Sequence, residues 1–165
     1  MLIYHGSTMK VDSPLTTVCR DNLDFGKGFY TTSLKEQAIR WASRVAGTKD
    51  YREAWLNIYE LNADNVYAAY RVLRFEKYDE RWLDFVVGNR RGEEFWKEYD
   101  MIEGGIANDR IFNTIELYFS GLIQKEEALK RLSFEQSNNQ ICILNQEIID
   151  LHLSFIEALP IELKI

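Results

Sequence analysis

Apolar and polar positions alternate unevenly along this chain, and their spacing divides it into short strands and amphipathic helices. Leu2-Ile3-Tyr4-His5 reads as a strand that breaks at Gly6-Ser7, and the polar stretch through Pro14 to Asp24 predicts a loop crossing to the Gly26-Lys27-Gly28 turn. Phe29-Tyr30-Thr31-Thr32 has the aromatic and β-branched content of a strand, and Ser33 with Glu36 has the spacing of a capping box. Leu34, Ala38, Trp41, Ala42 and Val45 then recur on one face of a predicted helix that Gly47 ends. Residues 54–61 read as a strand, and residues 66–75 are ambiguous between a strand and an irregular turn region.

Beyond that point the helical period returns. Trp82, Phe85, Val86 and Asn89 predict a helix over residues 79–89, and residues 99–105 form a strand that stops at paired glycines. Asn108 or Asp109 caps a helix running to Phe119, and a second helix over residues 124–132 turns Ala128, Leu129 and Leu132 inward. After a turn at Asn138-Asn139, residues 140–144 form a strand, residues 145–151 a short helix, and residues 152–156 a last strand. The pattern is that of an α+β fold whose strands are separated by unequal helical insertions. It lacks the Gly-x-Gly-x-x-Gly turn of a Rossmann unit.

Composition narrows this picture. With 165 residues, 46% hydrophobic, the chain suits a single domain over residues 1–165. A net charge of -6 disfavours general binding along a nucleic-acid backbone. Cys19, Cys142, His5 and His152 are not at metal-ligand spacing, so no metal site is expected, and the cysteines read as small buried hydrophobes in a reducing compartment. No apolar run approaches a membrane span of roughly 20 residues and no signal peptide is visible, which points to a cytoplasmic protein with no membrane partner.

The candidate chemistry lies in two N-terminal motifs. Tyr4-His5-Gly6-Ser7 puts an imidazole at a strand end beside a glycine whose bare backbone admits a ligand, and Gly26-Lys27-Gly28-Phe29-Tyr30 presents an aromatic ring after an open turn. Together they suggest a nucleotide pocket. Each also has a plain structural reading, as a hydrogen-bonded strand histidine and as a turn. The four tryptophans read as packing residues, Arg90-Arg91 either as a diphosphate clamp or as a complement to a helix dipole, and His152 as a core histidine on a strand.

These motifs, with Gln37-Ala38, Trp41-Ala42, Trp82-Leu83-Asp84-Phe85, Tyr99-Asp100 and the Gln140-Ile141-Cys142-Ile143 strand, resemble the ADP-ribosyltransferase superfamily. Within it they are most similar to a bacterial group that recurs in toxin-antitoxin-type loci. The resemblance implies split mixed and antiparallel sheets with helical insertions, and NAD as the substrate. It implies an unidentified protein or nucleic-acid acceptor and a small antitoxin partner. By position it implies NAD contacts from His5, Gly6, Ser7, Gly28 and Tyr30, with His5 on a ribose hydroxyl and Tyr30 stacked on nicotinamide. Gln140 falls where the best-known members carry glutamate. Because cleavage of the nicotinamide-ribose bond develops positive charge, a neutral amide orients the ribose without stabilising that charge, and Glu103 or Asp109 is expected to supply it. The alternative reading is a catalytically inactive module that binds NAD or ADP-ribose.

Overall fold

The computed structural model describes residues 1–48, 53–106, 109–135 and 138–163, with Asp109 described in its backbone alone. Strand β1 (Leu2–Ser7) pairs antiparallel with β3 (Trp55–Leu61), which pairs antiparallel with β7 (Leu153–Pro160) to complete a three-stranded sheet. The second sheet has the order β2 (Phe29–Thr31), β6 (Gln140–Ile143), β5 (Met101–Gly104) and β4 (Val72–Arg74). It is mixed, because β4 runs parallel to β5 while the other pairs are antiparallel. Between the strands lie α1 (Lys35–Thr48), α2 (Ala63–Ala69), α3 (Glu80–Arg90), α4 (Asp109–Phe119), α5 (Lys125–Leu132) and α6 (Gln146–His152). This is the expected α+β architecture of split antiparallel and mixed sheets with helical insertions.

Among the described residues the sheets meet at one bridge, where the Tyr4 N–H donates to the Thr32 carbonyl at 2.8 Å and the Thr32 N–H donates to the Tyr4 carbonyl at 3.0 Å. Strand alternation then sorts the apolar residues into two layers. On one face of the mixed sheet Phe29, Met101, Ile141 and Ile143 pack with Ile3, Tyr59 and Ile148. On the other, Cys142 and Ile102 pack beneath Trp82, Val86, Ile111 and Leu132 from helices α3, α4 and α5. Both faces of this sheet are buried, which is why its central strands read as short continuous apolar runs.

Several local expectations change. Strand β1 continues through Gly6 and Ser7, because their backbones lie opposite Leu56 and Trp55 on β3. Gly6 is the point of closest approach of α1: a Cβ there would stand 2.0 Å from the Ala38 carbonyl oxygen. The helix presents an alanine stripe, Ala38, Ala42 and Ala46, to the sheet. Leu34 and Trp41, expected on that face, are 45% and 49% exposed. Bulkier side chains cannot occupy a helix face held this close to a strand backbone.

No capping box forms at Ser33. Its hydroxyl donates to Asn139 Oδ1 at 2.9 Å, and Thr32 Oγ1 takes the Leu34 N–H at 3.0 Å. The ambiguous segment 66–75 divides into the end of α2 and strand β4. Asp79 caps α3 through the Trp82 N–H at 3.0 Å. His152 ends α6 instead of opening a strand; it is half-buried edge-on to Tyr70 at 5.5 Å. The helix α4 begins at Asp109, and Asn108, the other cap considered, lies outside the described residues.

The loop after β1 is pinned by buried Asn57. Its Oδ1 accepts the Val11 N–H at 2.7 Å, and its Nδ2 donates to the carbonyls of His5 at 3.3 Å and Met9 at 3.2 Å. Further along, Asn89 donates to the Asp24 carbonyl at 2.9 Å and Arg90 pairs with the Asp24 carboxylate at 2.7 Å.

Gly6→Ala is expected to destabilise the protein by about 1–3 kcal/mol, because the added methyl meets helix backbone and not a flexible side chain. Gly47→Ala, where a Cβ meets nothing within 4 Å, is expected to stabilise by about 0.5–1 kcal/mol through helix propensity. Denaturant unfolding of both variants with unchanged m-values checks the pair.

Candidate functional site

The junction of β1 and β2 brings the first two motifs together. His5 follows the bridging Tyr4, and its Nδ1 lies 2.7 Å from the Tyr30 carbonyl oxygen. A carbonyl only accepts, so Nδ1 carries the proton and Nε2 of the neutral ring is left as an acceptor. Burial lowers the His5 pKa below its ordinary 6.5, outweighing the opposite effect of the Tyr30 bond. The ring also packs against Phe29, with centroids 4.8 Å apart. At neutral pH the site therefore holds an uncharged imidazole fixed in one tautomer.

Tyr30 is tied down at its other end. Its Oη donates to the Gly26 carbonyl at 2.7 Å and accepts the Phe25 N–H at 3.2 Å. Burial, followed by the nearby Cys142 thiol and Asp24, raises its pKa well above 10.0, so the phenol keeps its proton. The ring borders the core formed by Phe25, Trp82 and Cys142.

The motif glycines are explained by the chain's own packing. Gly26 has φ 86°, and a Cβ on it would stand 2.0 Å from the Trp96 ring. Gly28 gives its N–H to Cys19 Sγ at 3.2 Å, and its Cβ would lie 2.5 Å from the Ile143 carbonyl oxygen. Gly6, described above, faces α1. Ser7 Oγ makes a long contact of 3.4 Å with the Met9 N–H.

Gln140 opens β6. Tyr30 lies opposite Cys142, so Gln140, two positions along the same strand, shares the face that carries the Tyr30 ring. It is 8% exposed, and its Nε2 is buried with no hydrogen-bond partner. The preceding residue, Asn139, holds the start of α1: its Oδ1 accepts the Ser33 N–H at 2.9 Å, and its carbonyl accepts Gln37 Nε2 at 2.6 Å. Gln37 entered the sequence reading only within the Gln37-Ala38 motif of the resemblance and was given no role in the site there.

Glu103 corrects an expectation. Gly104 lies opposite Gln140, so Glu103, one residue earlier, projects from the opposite face of the sheet. Its carboxylate is committed there, with Oε1 accepting the Tyr67 hydroxyl at 2.5 Å and Oε2 pairing with Arg74 Nε at 2.9 Å. Burial and this hydrogen bond push the Tyr67 pKa up to about 12. Glu103 is therefore not aimed at Gln140. Asp109 begins α4, and its side chain lies outside the described residues. Arg90, considered as a diphosphate clamp, is paired with both Asp24 and Glu116 at 2.7 and 2.9 Å and lies over Phe112.

Two surface cavities, of about 230 and 480 Å³, border none of His5, Tyr30 and Gln140; the first lies beside Tyr59 and Gln146, the second beside Glu60 and His152. Among the described residues no group of three metal-ligating side chains comes together, and no helix is long and apolar enough to cross a membrane.

A sequence profile for a protein family described as "Protein of unknown function (DUF3990)" matches residues 1–155. The chain belongs to this family. The DUF3990 match contains every site residue discussed above and runs from β1 into β7. Searches of curated proteins and of solved structures return no match.

The lowered pKa of His5 gives a stability signature. Between its depressed folded value and the ordinary 6.5, the unfolded chain binds more protons than the folded one. The contribution is complete above 6.5 and is lost as pH falls. Thermal unfolding of wild type and His5→Gln between about pH 8 and about pH 5 is expected to show a steeper acid loss in wild type. Parallel pH profiles would remove the imidazole from this role.

Proposed function

We propose that this protein is an NAD-consuming ADP-ribosyltransferase of the bacterial toxin type, which transfers ADP-ribose to a protein or nucleic-acid acceptor. The observation that carries the reading is the junction at Tyr4 and Thr32. It sets a neutral, tautomerically fixed His5 on the Tyr30 backbone carbonyl, and the next strand of the mixed sheet begins with a buried Gln140 whose amide nitrogen has no partner. An unsatisfied buried donor costs about 1–3 kcal/mol in the free protein, and a polar ligand offsets that cost.

In this reading His5 Nε2 accepts a hydrogen bond from a ribose hydroxyl, and Tyr30 forms an aromatic wall beside nicotinamide. Gln140 Nε2 donates to the reacting ribose. The bond between nicotinamide nitrogen and ribose C1′ breaks with its electron pair leaving on nicotinamide. The acceptor nucleophile bonds to C1′ and its proton passes to water, since nicotinamide leaves neutral without it. Since nicotinamide leaves as a neutral molecule from a cationic one, orientation in a dry site supplies part of the rate. A cytoplasmic setting and a small antitoxin partner belong to the same proposal.

A second reading, an inactive module that binds NAD or ADP-ribose, is favoured by one observation. Gln140 is neutral, and the nearby carboxylate of Glu103 faces away and is occupied by Arg74.

Nicotinamide release from NAD, measured with and without cell lysate as an acceptor source, separates the two. Gln140→Ala is expected to lower turnover more than NAD affinity, as for a contact made mainly in the transition state. Gln140→Glu is expected to raise NAD hydrolysis by at least about tenfold, through a charge placed where positive charge develops. Glu103→Gln is expected to leave turnover unchanged and to lower stability by about 1 kcal/mol. Measurable NAD binding with no turnover in wild type or Gln140→Glu would decide for the binding module.

A further inference from the structure

We propose that Gln37 is a second ligand-binding amide of this site, and that its Oε1 and the Nε2 of Gln140 together hold one hydroxyl of the nicotinamide-side ribose. The inference rests on the NAD reading above and adds a residue that this reading does not require.

Three buried side-chain polar atoms among the described residues have no hydrogen-bond partner: Gln37 Oε1, Gln140 Nε2 and Trp82 Nε1. The indole belongs to the core beneath α3. The other two belong to residues that meet at the peptide between residues 139 and 140: Gln37 Nε2 donates to its carbonyl at 2.6 Å, and Gln140 is the residue that follows it. That bond also settles which end of the Gln37 amide is free. A carbonyl oxygen requires a donor, so the amide nitrogen faces Asn139 and Oε1 is the end left over.

One orphan is thus an acceptor and the other a donor, and they do not bond to each other. Leaving each unmade costs about 1–3 kcal/mol, which two residues on separate elements do not share without a reason. The pair selects its ligand group. A carboxylate or phosphate oxygen would meet the lone pairs of Gln37 Oε1, and an ammonium would meet the amide protons of Gln140. A hydroxyl satisfies both, giving its proton to Gln37 and receiving one from Gln140.

The arrangement is also held rigidly. Ser33 gives both its N–H and its hydroxyl to Asn139 Oδ1, each at 2.9 Å, so the start of α1 and the start of β6 keep a fixed separation. The alanine stripe against Gly6 fixes the same helix on β1.

The test is calorimetric binding of NAD, and of NAD analogues lacking the 2′- or the 3′-hydroxyl of the nicotinamide-side ribose, to wild type, Gln37→Lys and Gln37→Glu. Lysine keeps a donor toward Asn139 and removes the acceptor; glutamate keeps an acceptor and removes the donor. Gln37→Lys is expected to weaken NAD binding by about tenfold, the worth of one hydrogen bond at the strong end of the usual range. One of the deoxy analogues is expected to bind wild type and Gln37→Lys alike, because its missing hydroxyl is the partner of the missing acceptor. Gln37→Glu is expected to bind NAD more tightly than Gln37→Lys. Equal NAD affinity in wild type and a folded Gln37→Lys overturns the assignment of Gln37 and leaves the NAD reading standing. If that variant does not fold, wild type alone decides: equal affinity for NAD and both deoxy analogues overturns the assignment. Absence of NAD binding by folded wild type overturns the NAD reading itself.

Discussion

Two main-chain hydrogen bonds between Tyr4 and Thr32 join the two sheets, and the candidate site is built outward from them. They fix β1 beside β2, which sets the His5 ring on the Tyr30 carbonyl. They also place Thr32 at the entrance to α1, where its hydroxyl receives the Leu34 N–H. The helix then returns across β1 and closes on Gly6. Strand, strand and helix are mutually constrained over a few residues, so a change at any one of them moves the imidazole.

Glycine and alanine make that closeness possible, and aromatic residues fill the space around it. The Ala38, Ala42 and Ala46 stripe lets α1 lie on a strand backbone that tolerates no Cβ at Gly6. On the far side of the mixed sheet, Gly26 accommodates Trp96, and Gly104 accommodates Phe25 and Phe75. Small residues on the strands and turns and large ones opposite them make a dense interior, in which a buried polar atom has little freedom to find a partner by local rearrangement.

Charge is used mainly to fasten elements. Arg90 joins the loop at Asp24 to α4 at Glu116, and Arg74 with Tyr67 encloses Glu103. Asp100 accepts from Arg71 and Asn145, tying the start of β4 to the segment after β6. These carboxylates and guanidiniums are satisfied by the chain itself. Among the described residues the buried side-chain groups left without a partner are the amides of Gln37 and Gln140 and the indole of Trp82, all of them neutral. A site of this kind distinguishes ligands by matching donors and acceptors, with little contribution from net charge.

Residue type and period were sufficient for much of this architecture. The helices α3, α4 and α5 and the strand β6 follow from local apolar spacing and end signals, because each buries a face that its own sequence defines. His5 and Tyr30 were legible as candidates because each stands close to a glycine at a strand end or after an open turn, whereas Gln140 was singled out only by the family resemblance. Tertiary structure decided what no local pattern carries. Which face of α1 is buried depended on Gly6, far from it in sequence, and Trp41 was left exposed in consequence. The direction of Glu103 depended on the register of β5 against β6, since a shift of one residue reverses a strand side chain. Gln37 emerged only when Asn139, 102 residues away, took one end of its amide and left the other without a partner. Periodicity reports burial within an element; pairing between distant elements determines which buried groups meet.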